Sequence, residues 1–139
     1  MMDVNLIAPW TLVVEAQAAL RISARTGRPG CSVNIGTHAG VRPKGSSIPY
    51  AVSKAALHHT TRLLALTLGP DIRVNCVAPG LVDTAMSTDW EAAYELWNTR
   101  APMRRPAKPQ DIADLVAAFC ANDYVTGEVL IADGGLNLT

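Results

Sequence analysis

The sequence predicts an α/β fold with a parallel sheet of about three strands flanked by helices. Two observations carry this. Short apolar runs rich in β-branched residues alternate with longer helical stretches along the chain. Strands separated by helices pair in parallel through right-handed crossovers. The composition agrees: at 139 residues, 49% hydrophobic and 17% charged, the chain is rather apolar and has room for one domain (residues 1–139) around one core. Only 5% of residues are aromatic, so aliphatic side chains must fill that core.

From Asn5 to Arg25 the chain is rich in strong helix formers. Trp10, Val13, Ala16, Leu20 and Ala24 recur at steps of three and four, which marks an amphipathic face. Pro9 either starts this helix or kinks it after a short first turn. The turn Thr26–Gly30 leads to a short strand, Cys31–Ile35, stopped by Gly36. A polar loop follows, from Thr37 to Ser47. A second helix is predicted over Tyr50–Leu68, ended by Gly69-Pro70 in the manner of a C-terminal glycine followed by proline. Ile72–Ala78 reads as a strand, Thr84–Arg100 as a helical region, and Pro102, Pro106 and Pro109 mark a loop. Gln110–Ala121 is a helix with Ile112, Leu115, Val116 and Phe119 inward. Glu128–Ala132 is a last strand, closed by Asp133-Gly134-Gly135.

Charge narrows the function classes. Twelve Lys and Arg balance twelve Asp and Glu, so nothing electrostatic favours nucleic acid or an anionic membrane as partner. No apolar run approaches the ~18 residues of a membrane span. The opening Met1-Met2-Asp3-Val4-Asn5 lacks the basic region of a secretory signal, and a cytoplasmic location is expected. Cys31, Cys76 and Cys120 lie far apart without a CxxC spacing, so neither a disulfide framework nor a metal site is expected. They read as small buried thiols in a reducing compartment. His38, His58 and His59 have no carboxylate at ligand spacing and read as surface or packing residues.

The sharpest chemical constellation is Tyr50-Ala51-Val52-Ser53-Lys54. Positions four apart on a helix lie roughly 40° apart around its axis, so Tyr50 and Lys54 project from one face. An ammonium close to a phenol favours the phenolate, as a general acid or base at neutral pH requires. Thr37 follows one predicted strand, and Pro79–Thr84 follows another. Ligands of open parallel sheets bind beyond the carboxyl ends of the strands. Arg100, Arg104, Arg105 and Lys108 form a basic loop that is either solvated or attractive to an acidic substrate or an acyl carrier protein. Trp90, Tyr94 and Trp97 fit either a lid over substrate or a plain apolar face.

In order and in spacing, VNIGT, YAVSKAAL, IRVNCVAPGLVDT and VTGEVLIADGG resemble the short-chain dehydrogenase/reductase family, from Asn5 to Leu136. The resemblance implies part of a Rossmann-type doubly wound sheet and an oxidoreductase moving a hydride between NAD or NADP and a carbonyl/alcohol substrate. It implies Tyr50 as acid/base and as one of the cofactor-binding residues, and Lys54 as the cation that assists it and binds the nicotinamide ribose. It implies Asn5 as holder of a proton-relaying water, where the bare residue reads equally as a helix cap. Pro79, Gly80, Val82 and Thr84 would line the nicotinamide. Thr37 stands where the family has serine; its hydroxyl can still donate, but its methyl crowds the site.

The family's Gly-rich turn, which takes the pyrophosphate on a helix N-terminus, is not found in these residues. The chain is therefore expected to be a C-terminal portion of the family domain, and a non-catalytic interaction module is the alternative reading. A homo-oligomer formed through helices 5–25 and 50–68 is expected. Without the fourth strand of the family's sheet, Cys31–Ile35 is expected to form an exposed edge.

Overall fold

The computed structural model describes residues 1–43 and 47–139; positions 44–46 of the expected polar loop lie outside the described residues. The helices are α1 (Ala8–Arg25), α2 (Ile48–Leu68), α3 (Glu91–Arg100) and α4 (Pro109–Ala121), and the strands are β1 (Gly30–Ile35), β2 (Ile72–Pro79) and β3 (Val129–Ala132). The sheet has the order β1-β2-β3 and is parallel throughout. Gly30 pairs with Ile72 and Ile35 with Val77 on one side of β2, and Cys76 pairs with Val129 and Pro79 with Ala132 on the other. The three expected strands are present, and β1 is an edge with β2 as its one partner among the described residues.

All eight residues of β2 are buried, and their alternation sorts the helices into two layers. Ile72 and Val74 pack with Val13 of α1 and Leu64, Ala65 and Leu68 of α2. Arg73 and Asn75 point the other way: Arg73 donates to the Phe119 carbonyl at the end of α4, and Asn75 to the Val125 carbonyl beyond it. A second cluster of Leu81, Trp97, Ala101 and Leu136 gathers α3 against the chain's end. No helix among the described residues is long and apolar enough to cross a membrane.

Several expected boundaries move, each for a local reason. The first helix begins at Asp3, not Asn5, through a wide π turn, Asp3–Ile7. Pro9 falls in the first turn of α1, where its missing N–H costs little. Trp10 is not inward with Val13 but 48% exposed. α2 starts two residues early, at Ile48. Gly69 closes it in extended conformation (φ −65°, ψ 151°), not as a left-handed cap, the bias expected of a residue before proline. The expected helix from Thr84 is split into a 3-10 turn, Ala85–Ser87, and α3. There Ser87 Oγ donates toward the Val82 and Thr84 carbonyls, and Thr88 Oγ1 to the Ala85 carbonyl, so side chains compete with the helical ladder.

Inside the α2–sheet interface, Asn34 Nδ2 donates to Thr61 Oγ1 at 3.0 Å, and Thr61 Oγ1 donates to the Leu57 carbonyl at 2.9 Å. Thr61→Val keeps the shape but strands a buried amide, at a cost of about 1–3 kcal/mol. Thr67→Val, on the exposed face of the same helix, is expected to stay within about 0.5 kcal/mol. Urea unfolding of the two variants checks this contrast, and equal losses would refute it.

Candidate active site

Because the three strands run parallel, the chain leaves β1, β2 and β3 at one edge of the sheet. Thr37 emerges beyond β1, Gly80 beyond β2 and Asp133 beyond β3. Thr37 caps the 3-10 turn His38–Gly40: its Oγ1 accepts from the Ala39 N–H and donates to the Pro79 carbonyl, both at 3.4 Å. The hydroxyl therefore bridges the ends of two strands. Gly80 is required where it stands. A Cβ there would lie 2.7 Å from Trp97 Cζ2 and 2.8 Å from Asp133 Cβ, closer than packed carbons approach.

Tyr50 lies in the first turn of α2 and Lys54 one turn later. Lys54 Nζ donates to the Ile35 carbonyl at 2.8 Å and lies 6.0 Å from the centre of the Tyr50 ring, the outer reach of a cation–π contact. Burial holds the Lys54 pKa below the ordinary lysine value, against an opposing pull from Cys76. Asn5 sits within the π turn, so it is not a helix cap. Its Nδ2 donates to Ser53 Oγ at 3.1 Å, and Ser53 Oγ donates to the Tyr50 carbonyl at 2.7 Å. The structure thus ties Asn5 to the Tyr50–Lys54 turn through Ser53, a residue to which the sequence reading gave no role.

Pro79 and Gly80 join this edge directly. Val82 pairs instead with Ala107 in an isolated bridge, and Thr84 is exposed at the head of the Ala85–Ser87 turn, its N–H donating to Ser87 Oγ at 3.0 Å. Trp97 is buried and donates from Nε1 to the Asp133 carbonyl, whereas Trp90 is half exposed. The three aromatics therefore form no common lid. Part of the basic loop is used locally: Arg105 pairs with Asp111 at 2.6 Å, and Arg104 donates to the Thr99 carbonyl. Two cavities lie apart from Tyr50. One of about 230 Å³ is lined by residues that include Met103, Ile112 and Leu115, and one of about 560 Å³ by Asp83, Glu91 and Tyr94 among others.

Two further residues shape the site. Asp133 is buried beyond β3 and accepts from the N–H groups of Gly135 and Asn137; an Asp before two glycines is a turn signal that could have revealed it. His58, four residues after Lys54 and so on the same face, packs against Gly36, where a Cβ would lie 2.2 Å from its Nε2. The Thr37 N–H donates to that nitrogen at 3.4 Å, which suits a neutral ring protonated on Nδ1. His38 is also buried, its ring edge-on to Trp97 at 5.3 Å. The expectation of packing histidines thus suits both. No metal-holding group of His, Cys, Asp and Glu occurs among the described residues.

The comparisons with known proteins accord with this geometry. The family described as Enoyl-(Acyl carrier protein) reductase matches residues 1–137. A Bacillus subtilis protein named a short-chain dehydrogenase/reductase homolog is 38% identical over 111 residues, covering 80% of this chain and 86% of its own length. The chain belongs to the short-chain dehydrogenase/reductase family. A Streptomyces violaceoruber protein, named as a ketoacyl reductase of the granaticin polyketide synthase, is 44% identical over 140 residues; the match covers 99% of this chain and 55% of the relative. Among solved structures, a blue fluorescent protein from a metagenomic library in complex with NADPH superposes with a TM-score of 0.82 at 36% identity, over 97% of this chain and 54% of that one. A 4-hydroxyisoleucine dehydrogenase mutant complexed with NADH and succinate gives 0.87 at 28% identity, over 99% and 58%. The sheet is therefore part of a Rossmann-type short-chain dehydrogenase fold, and the chain spans about half the length of most of these relatives.

Burial, with the charges of Arg62 and Lys54, lowers the His58 pKa from 6.5 to about 4. The folded state then binds fewer protons than the unfolded one, so this stabilisation is complete above about pH 6.5 and is lost as pH falls through about 4. Burial lowers His38 in the same direction. The urea midpoint of the native chain is expected to drop between neutral pH and about pH 4, and to drop less in His58→Gln. An equal drop in both would show that His58 is not a source of it.

Proposed function

We propose that this chain carries the proton-transfer side of an NAD(P)-dependent oxidoreductase site that interconverts a carbonyl and an alcohol, with Tyr50 as the acid/base. The observation that supports it most is Lys54, anchored on the Ile35 carbonyl beneath the Tyr50 ring at the carboxyl edge of the sheet. An ammonium has three donors. One is spent on Ile35, which leaves two for the tyrosine side and for a ribose. The donor set suits a nicotinamide cofactor: Lys54 for ribose hydroxyls, Thr84 for the carboxamide, and Pro79, Gly80 and Val82 as the wall of the ring. When bound, that cofactor supplies or accepts the hydride.

The chain's own residues do the rest. In the reductive direction Tyr50 gives its phenolic proton to the carbonyl oxygen as negative charge develops there. Lys54 stabilises the phenolate that remains. Thr37 donates a hydrogen bond to the same substrate oxygen, releasing its long contact with Pro79. Asn5, through Ser53, fixes the turn from which Tyr50 and Lys54 project. Relatives named as ketoacyl reductase and dehydrogenase support the reaction class, and the NADH and NADPH complexes support the cofactor class without choosing between the two.

The outward faces of α1 and α2 support association as well. Val4, Leu12 and Ile22 on the first helix, and Val52, Leu63 and Leu66 on α2, are each more than half exposed, Leu66 at 83%. Exposed apolar side chains lining two helix faces mark a candidate contact surface. A second copy of this chain is the proposed cover. Light scattering is expected to give a dimer or larger assembly for the native chain and a lower mass for Leu12→Glu with Leu66→Glu; a native monomer would overturn this part.

Titration with NADH and with NADPH, read by energy transfer from the tryptophans, tests the site. Saturable binding is expected, about tenfold weaker in Lys54→Ala, equivalent to about 1.4 kcal/mol. With a small carbonyl substrate, Tyr50→Phe is expected to keep saturable cofactor binding and lose about 10²- to 10⁴-fold in turnover. Absence of any saturable binding would favour the reading as an interaction module.

A further inference from the structure

We propose that Cys31 and Cys120 are a redox-sensitive pair that closes to a reversible intrachain disulfide when the chain meets a hydroperoxide. The two thiols lie 89 positions apart in sequence, yet their sulfurs face each other at 3.9 Å across the junction of β1 and α4. The sequence reading expected three isolated buried thiols. Instead Cys76 alone is buried, Cys31 is half-buried and Cys120 is exposed. A disulfide needs its sulfurs at about 2.05 Å, so the proposal has the two side chains rotate to close the 3.9 Å gap.

The backbone on either side is held in place for that step. Cys31 is the second residue of β1 and pairs in register with Arg73 of the buried strand. Arg73 reaches across to the last turn of α4, donating to the Phe119 carbonyl at 2.8 Å and the Cys120 carbonyl at 3.4 Å. Just before β1, Arg28 donates to the Ala121 carbonyl and pairs with Asp123 at 2.9 Å. Two arginines, one on β2 beside Cys31 and one just before β1, therefore hold the helix end that carries Cys120 against the sheet. Neither contact involves Tyr50, Lys54 or Thr37, so the pair is independent of the proposed active site.

The chemistry divides between the two cysteines by exposure. The Cys120 thiolate attacks one peroxide oxygen, the O–O bond breaks, and the departing oxygen leaves as water or an alcohol once protonated. Cys120 is then a sulfenic acid. The Cys31 sulfur attacks the Cys120 sulfur, an S–S bond forms, and the sulfenic oxygen leaves as water with the proton released by Cys31. One peroxide is reduced and two thiols are oxidised. Burial holds the Cys31 thiol above its ordinary pKa, while the Arg73 guanidinium beside it pulls the other way. Cys31 thus suits the resolving role, and the neighbouring cation stabilises its thiolate as it forms. Cys76 lies in the core, its thiol pushed up to about 11 by burial, and stays reduced.

The crosslink ties the exposed edge strand to α4 and closes a long loop, so it restricts the unfolded chain strongly. The test treats the full chain with a small excess of hydrogen peroxide and reads it by mass spectrometry, non-reducing electrophoresis and thermal unfolding. A monomer-sized band is expected, with two hydrogens lost and a proteolytic fragment joining Cys31 to Cys120. Tm should rise by at least ~5 °C, and dithiothreitol should reverse both changes. Cys120→Ser should abolish the crosslink, whereas Cys31→Ser should leave a sulfenic acid at Cys120 that dimedone traps. Two outcomes would overturn the proposal: Cys120 joining two chains in place of Cys31, or both thiols surviving peroxide that fully oxidises a free cysteine control.

Discussion

The structure depends on one constraint, a strand buried on both faces and along both edges. β2 has no exposed residue, yet it carries Arg73 and Asn75, two side chains that cannot be left without partners in a dry interior. Arg73 donates to the Phe119 and Cys120 carbonyls at the end of α4, its buried Nε alone lacking a partner among the described residues, and Asn75 is satisfied by the segment that leads to β3. Asn75 donates to the Val125 carbonyl at 2.9 Å and accepts from the Glu128 N–H at 3.1 Å. Thr126 accepts from the Val74 N–H. The polar groups of the central strand thus fix where β3 starts, and that register delivers Pro79 and Ala132 side by side. The candidate site inherits its alignment from hydrogen bonds made at the opposite end of the sheet.

The second determinant is the close approach of α2 to the carboxyl ends of β1 and β2. Gly80 makes room for Trp97 and Asp133 at the end of β2, and Gly36 lacks a side chain where His58 of α2 must come near the end of β1. That closeness lets Lys54 reach the Ile35 carbonyl. The same packing dehydrates Lys54, His58 and Cys76 together, so their perturbed ionisation has one common cause, burial. In the proposed reading, this packing sets the lysine beside the tyrosine, with a neutral histidine one turn further along the helix.

Much of this was legible in the sequence because it rests on local pattern. The strand Ile72–Ala78, the helix Tyr50–Leu68 with its Gly69-Pro70 end, and the four-residue step from Tyr50 to Lys54 are each encoded within a few residues. The relation of Thr37 to Pro79 followed from the rule for parallel sheets. What the sequence hid are matters of long range. Nothing near Ser53 announces Asn5 as its partner 48 positions away. Cys31 and Cys120 carry no spacing signal, since Arg73 and Arg28 bring them together. The break before α3 comes from Ser87 and Thr88 competing for backbone carbonyls, which helix propensity alone does not register. Trp90, Tyr94 and Trp97 look equivalent on a helical pattern, but Asp133 and Leu136, close to the chain's end, select Trp97 alone for burial.

The distribution of exposed apolar surface bears on the proposed chemistry through α2. Ser53 and Leu57 on the inner face are at most 1% exposed, and between Tyr50 and Lys54 the outward residue is Val52, at 55%. The turn that presents the tyrosine and the lysine therefore has a rigid inner wall and an uncovered outer one. A terminal helical turn held on one side only is the part of a helix most prone to fray. Covering Val52 would stiffen the turn without touching the reacting atoms. In the proposed reading, association and proton transfer share α2: the face that would seek a partner and the face that positions Lys54 lie on opposite sides of the same few residues.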